Sequence, residues 1–140
     1  MFNIYYFVTV CCDYDIDTET CDSSNYFSLY YGNSVSYNSG FLNNYRKEIA
    51  FLKYNNEIKK KKDSISIAQN EKLDVKFVYP INNLNGFFSS DNNMKNYLVS
   101  LDFSNFDSSQ ITSMGNAFNG LTSLKYIDLS GFGPSLTSMN

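Results

Sequence analysis

Two stretches in the C-terminal half share one pattern: residues 98–106 are LVSLDFSNF and residues 124–132 are LKYIDLSGF. At an offset of 26 residues, both have apolar residues at the first, fourth, sixth and ninth positions, with Asp and Ser at the fifth and seventh. Residues 112–114 and 137–139, both Thr-Ser-Met, match at an offset of 25. The alternation predicts a short strand with one buried face, and a period of about 25 residues is typical of solenoids.

A fainter copy lies upstream. Residues 81–88 match residues 111–118 in their apolar positions at an offset of 30, and a polar insertion at 89–93 accounts for the extra length. Residues 73–75 would then be the strand of this copy, in the place that residues 101–103 occupy in the next copy. Since one repeat cannot bury its own apolar face, about three stacked copies are needed for a stable core.

The same pattern predicts which side chains are buried. Leu98, Leu101 and Phe103 point inward from the first strand, and Phe106 and Phe132 stack at the turn that follows each copy. The segment that returns to the next copy has an apolar side of its own, formed by Ile111, Met114, Phe118 and Leu121.

These residues resemble the BspA-like leucine-rich-repeat family of surface proteins. Family repeats have a Leu-Asp-Leu-Ser strand, a Phe, an Asp-Thr/Ser-Ser stretch, a Val/Ile-Thr-x-Met step and a Met/Ala-Phe step. Here the corresponding stretch is residues 101–114, followed by Ala117-Phe118. The resemblance covers residues 98–140 well and residues 73–97 poorly, and it departs from the pattern at Gly133-Pro134.

We therefore expect an α/β repeat fold. A leucine-rich-repeat-like solenoid with a short parallel sheet would span residues 73–140, preceded over residues 1–72 by a small α+β segment with one amphipathic helix. The last copy stops at Asn140 in mid-repeat, which indicates truncation and predicts self-association through the uncapped repeat.

The resemblance implies a non-catalytic surface or secreted protein that binds other proteins, for example in adhesion to host or matrix proteins. An intracellular scaffold that uses the same repeat face is the alternative. The predicted protein-binding face is the outward column of the two strands: Ser100, Asp102, Ser104, Tyr126, Asp128 and Ser130. Asp102 and Asp128 have a purely structural alternative, because each could accept N–H groups of the turn that follows.

Composition narrows the chemistry. The chain has no His and no Trp, and its net charge is -3. The absence of His excludes His-based general acid–base chemistry, His-ligated zinc and Ser-His or Cys-His nucleophiles, so we expect no enzyme, no metal and no cofactor. No apolar run approaches the length of a membrane-spanning helix.

The N-terminal residues give three further expectations. Residues 4–10 are strand formers and predict a strand. No Lys or Arg precedes them and no cleavage site follows, so a signal peptide is not predicted. The expected location, at the cell surface or outside the cell, therefore rests on the family resemblance. Cys11, Cys12 and Cys21 cannot all pair within the chain. The acidic run at 13–19 lacks the Gly and Glu that a calcium loop requires.

The middle segment predicts strands and then a helix. Residues 28–37 suggest two short strands around Gly32-Asn33. The spacing of Phe41, Tyr45, Ile49 and Leu52 then predicts an amphipathic helix over about 41–62. Four lysines at 59–62 end it, but the acidic chain contains a single Arg, so we do not expect nucleic-acid binding.

Overall fold

The computed structural model describes residues 25–37, 49–55, 57–59, 64–77 and 81–137. Its elements, in chain order, are β1 (Tyr26–Tyr31), β2 (Val35–Tyr37), β3 (Ile49–Tyr54), β4 (Glu57–Lys59), β5 (Ile65–Ile67), β6 (Lys72–Phe77), the helix α1 (Asn92–Tyr97), β7 (Leu98–Asp102) and β8 (Tyr126–Asp128).

Six strands form one mixed sheet in the order β4-β3-β6-β1-β7-β8. Strand β1 is antiparallel to both of its neighbours, β6 and β7, and β3 is antiparallel to β4 and β6. Strands β7 and β8 are parallel. Strands β2 and β5 form a separate antiparallel pair.

Strand β1 alternates between a buried and a polar face. Phe27, Leu29 and Tyr31 are fully buried on one face; on the other face Tyr26 and Tyr30 are partly exposed, while the small Ser28 between them is 3% exposed. Strand β6 has the same period, with Leu73, Val75 and Phe77 buried. This period of two is the one expected for a sheet that is covered on one side only.

Aromatic rings fill much of the core beneath the sheet. The ring of Phe27 contacts five other Phe rings, with centroids 5.2 to 5.8 Å away in tilted or edge-to-face arrangements. These partners are Phe77, Phe87, Phe88, Phe103 and Phe106. Because Phe27 lies on β1 and its partners lie on β6 and in the C-terminal half of the chain, a single apolar core joins both halves of the described chain.

The predicted solenoid is wrong. Residues 73–75, expected to stack in parallel on 101–103, belong to β6, and β1 lies between β6 and β7 with antiparallel pairing on both sides. The physical reason is the apolar alternation of β1, which lets this strand cover the edge of β7 that an upstream repeat would otherwise occupy. The protein is a small α/β fold that is mostly β, with one short helix among the described residues.

The local pattern of the repeat is nevertheless present between its two copies. The parallel register pairs Leu101 with Ile127 and Asp102 with Asp128, which is the offset of the sequence match. Leu101, Ile111 and Met114 are buried as expected. The Phe106 and Phe132 rings are in contact, with centroids 6.1 Å apart.

The return segments also lie side by side. The N–H of Thr112 donates to the Asn82 carbonyl at 2.9 Å, and the N–H of Thr137 donates to the Thr112 carbonyl at 3.1 Å. Asn83 and Ser113 form a parallel bridge. These contacts follow the predicted offsets of 30 and 25 residues, so the sequence match predicted which segments are neighbours but not how the sheet continues.

The predicted helix over about 41–62 is also wrong where the structure describes it. Residues 49–54 and 57–59 form the antiparallel hairpin β3–β4, and residues 41–48 and 60–62 lie outside the described residues. Leu52 is buried opposite Val75 of β6, so its apolar character serves a strand. Asn55 has a φ of 51°, a left-handed conformation suited to a hairpin turn and unsuited to a helix.

The two strands predicted around Gly32-Asn33 are present as β1 and β2, but they belong to different sheets. A Cβ on Gly32 would lie 2.7 Å from Val99 Cγ1, so any larger residue at position 32 would require the Val99 side chain to move. The large sheet contains strands from before residue 72 and from after it. The division of the chain into domains 1–72 and 73–140 stays a prediction. The predicted N-terminal strand, the three cysteines and the acidic run lie outside the described residues.

A polar sheet face as the candidate functional site

The face of the large sheet that is turned away from the core is polar, and we call it the outward face. One row of side chains crosses four strands on it: Asp74 pairs with Ser28, Ser28 with Asp102, and Asp102 with Asp128. Directly paired residues project on the same side of a sheet, so these three carboxylates and one hydroxyl share the face.

A second row runs beside the first. Lys72 pairs with Tyr30, Tyr30 with Ser100, and Ser100 with Tyr126. Tyr126 is 59% exposed, the largest exposure of any large apolar side chain among the described residues. The outward face therefore combines tyrosine rings with hydroxyl, carboxylate and ammonium groups.

Four of the six predicted site residues lie on this face: Ser100, Asp102, Tyr126 and Asp128. Ser104 and Ser130 follow the strands in exposed turns. The backbone N–H of Ser104 donates to Asp102 Oδ1, and that of Ser130 donates to Asp128 Oδ1, both at 2.8 Å. The structural role considered for the two aspartates is confirmed, and their position on the face is compatible with a second role.

The turn after β8 also lowers the pKa of one carboxyl group, that of Asp128. Hydrogen bonds from the Ser130 hydroxyl and then from its backbone N–H hold the pKa of Asp128 below its usual value. Asp107 is held in the same way, because the Ser109 hydroxyl and N–H lower the pKa of Asp107. Asp107 belongs to a turn rather than to a strand, so it provides a matched reference for Asp128.

Charge is distributed unevenly across the outward face. Asp74 accepts a hydrogen bond from Ser28 Oγ at 2.6 Å and lies 3.3 Å from Lys72 Nζ. Partial burial alone would lower the pKa of Lys72, but the charge of Asp74 and its hydrogen bond outweigh this and raise it. Within the described ranges, neither Asp102 nor Asp128 has an ion-pair partner. The β7–β8 half of the face therefore carries uncompensated negative charge.

Sequence reasoning missed the contribution of β1 and β6 to this face. Tyr26, Ser28 and Tyr30 are far from β7 in sequence, and β1 was not expected to pair with it. Their period-two alternation with buried Phe27 and Leu29 was the available sign of a strand with one polar face.

No family model, curated protein or solved structure matches this chain. The resemblance to BspA-like repeat proteins therefore stays a prediction. Over the part of the chain that the structure describes, no helix is long and apolar enough to cross a membrane.

Proposed function

We propose that this protein is a non-catalytic module that binds other proteins through its outward face. The observation that carries the proposal is the exposure of Tyr126, 59% of whose surface is open to solvent at the β8 end of the second polar row. Tyrosine is enriched at protein interfaces, because it offers a large contact area together with a polar hydroxyl.

The fixed position of β7 in the sheet favours binding. Leu101 of β7 is fully buried on the core side, and β7 pairs with β1 on one side and with β8 on the other. Side chains on such a strand need little ordering when a partner docks, which reduces the entropic cost of association. Adhesion to host or matrix proteins, implied by the family resemblance, is one setting in which such a face would act.

Site-specific photo-crosslinking tests this proposal. A benzophenone amino acid would replace Tyr126 or, in a second variant, Tyr30; a third variant with the group at exposed Gln110 is the control. After illumination in an extract of the source cells, we expect the same adducts from positions 126 and 30 and none of these from position 110. Adducts of equal yield at all three positions, or none at 126 and 30, would contradict the proposal.

A second binding mode is favoured by a separate observation, the partly exposed apolar side chains next to β8. Strand β8 is an edge of the sheet, without a strand partner on its outer side among the described residues. Ile127, Leu129, Phe132 and Leu136 are only partly buried there. We propose that a second copy of the chain covers this edge at micromolar concentration.

Sedimentation velocity tests this self-association. Leu136→Asp places a charge among the apolar side chains and should shift the chain toward monomer, whereas Asn119→Asp at an exposed position should not. An unmodified chain that is monomeric over the micromolar range would contradict this mode and leave binding through the outward face intact.

A further inference from the structure

We infer that the segment recognised by the β7–β8 half of the outward face is extended and basic, with an arginine side chain placed over Asp102, Asp128 and Tyr126. This rests on the proposed function and names the chemistry of the partner. The occupant is a different protein rather than a second copy of this chain.

The first step is the position of the two carboxylates. Asp102 and Asp128 are directly paired in the parallel register, and neighbouring strands lie about 4.8 Å apart. Like charges placed directly opposite each other destabilise a sheet. A cation bound between them would remove this repulsion. A basic partner should therefore bind more favourably to the pair of carboxylates than to an isolated one.

The second step is the contrast with the neighbouring carboxylate. Asp74, in the same row, is compensated within the chain by Lys72 at 3.3 Å and by the Ser28 hydroxyl. Asp102 and Asp128 have turn N–H groups as partners but no cation among the residues that the structure describes. The unmet charge is thus confined to the β7–β8 half.

The third step is the aromatic ring. Tyr126 lies two residues before Asp128 on the same strand and therefore on the same face. A guanidinium stacks on an aromatic ring while it donates to carboxylates, which an ammonium does less well. This combination favours arginine over lysine, and an extended backbone would follow the strand direction of the exposed face.

Fluorescence polarisation with defined peptides tests the inference. The probe is a labelled (Ser-Arg)4 peptide, with (Ser-Lys)4 and (Ser-Glu)4 as comparisons, added to the full chain at low and at physiological salt. We expect (Ser-Arg)4 to bind tightest, (Ser-Lys)4 about threefold more weakly and (Ser-Glu)4 not at all, with affinity falling as salt rises.

The matched variants isolate the two carboxylates. The double change Asp102→Asn and Asp128→Asn keeps a side-chain oxygen for each turn N–H, and it should weaken (Ser-Arg)4 binding at least about tenfold. Asp107→Asn makes the same change in a comparable turn off the strands and should leave binding within about twofold. Equal losses in both variants, or no binding by the unmodified chain, would overturn the inference.

Three outcomes separate this inference from its alternatives and from failure of the proposed function. If photo-crosslinked adducts at position 126 persist in the Asp102→Asn/Asp128→Asn variant, the binding function stands and the basic partner is wrong. If the two substitutions abolish self-association in sedimentation, a second copy, whose Lys72 half is also complementary in charge, is the occupant and the inference is again overturned. If neither position 126 nor position 30 gives adducts, the proposed function itself has failed.

Discussion

Asp102 and Asp128 are direct partners in the parallel strands β7 and β8, and each carboxylate accepts the backbone N–H of the serine two residues further along its own chain. The same Asp-x-Ser sequence therefore has two effects. It closes the turn after each strand, and it places two carboxylates side by side on the outward face.

The register of β7 can be tested by comparing Leu101→Asp with Asn105→Asp. Leu101 is fully buried and Asn105 is exposed in the following turn. An unpaired charge in the core should cost more than about 3 kcal/mol of unfolding free energy, and the turn substitution less than about 0.5 kcal/mol. Urea denaturation measures both values, and similar losses would show that this register is wrong.

The close packing of residue 131 against the backbone of Phe103 and Phe106 can be tested at two glycines. A Cβ on Gly131 would overlap the Phe103 carbonyl oxygen, whereas a Cβ on Gly133 would meet no atom within 4 Å. We expect Gly131→Ala to lower the unfolding free energy by about 1–3 kcal/mol and Gly133→Ala to change it by less than about 0.5 kcal/mol. Equal melting temperatures for the two variants would contradict the contact.

The turn hydrogen bonds predict a pKa change that is specific for each serine. Ser130→Ala should raise the pKa of Asp128 toward its ordinary value of 3.8, since the hydroxyl is the largest cause of the lowering. Ser109→Ala should do the same to Asp107 and leave Asp128 unchanged. Carboxyl NMR titrations of the two variants measure the pKa of Asp128 and of Asp107 in each.

The sign of the accompanying stability change follows from linkage. A carboxyl with a lowered pKa in the folded state stabilises the fold above its unfolded pKa, and this contribution is lost as the pH falls through the folded value. The unmodified chain should therefore lose stability below pH 3.8 more steeply than Ser130→Ala. A steeper loss in the variant would contradict the turn hydrogen bonds.

Two buried tyrosines predict the behaviour at high pH. The Tyr37 hydroxyl donates to the Tyr31 hydroxyl at 2.8 Å and lies 3.3 Å from Asp91 Oδ1. Burial raises the pKa of both phenols far above the ordinary value of 10.0. Above pH 10.0 the unfolded chain ionises these groups and the folded chain does not, so stability falls as the pH rises.

Tyr37→Phe tests this network. It removes a buried hydrogen bond and should cost about 1–2 kcal/mol at neutral pH, and it should also reduce the loss of stability at alkaline pH. Tyr97→Phe, at a partly exposed position, is the control and should change neither quantity. Thermal denaturation as a function of pH measures both, and identical alkaline slopes for all three chains would show that Tyr37 is not buried.

The sequence predicted local structure well where the apolar pattern fits only a strand with one buried face. The Leu98–Phe103 pattern predicted β7 and its buried side correctly, because alternation and burial coincide in a strand with one exposed face. The offset of 26 residues predicted the parallel partner of β7 correctly, because both copies have the same shape.

Nonlocal pairing could not be predicted in the same way. The antiparallel insertion of β1 between β6 and β7 depends on contacts between residues that share no sequence pattern. The helix expected over 41–62 failed because Ile49 and Leu52 also suit a strand over a short window.

Asparagine content proved partly structural. In the described ranges, each non-glycine residue with positive φ is an Asn: Asn25, Asn55, Asn70 and Asn116. Asn tolerates the left-handed conformation better than other side chains, so turns favour it.

The mixed sheet determines the outward face, and NMR of the isotope-labelled chain tests this arrangement most directly. We predict interstrand NOEs in antiparallel register between β1 and β7, for Ser28 with Asp102 and Tyr30 with Ser100, together with parallel-register NOEs between Leu101 and Ile127. Parallel-register NOEs between residues 73–75 and 101–103, without contacts between β1 and β7, would contradict it and restore a stack of repeats.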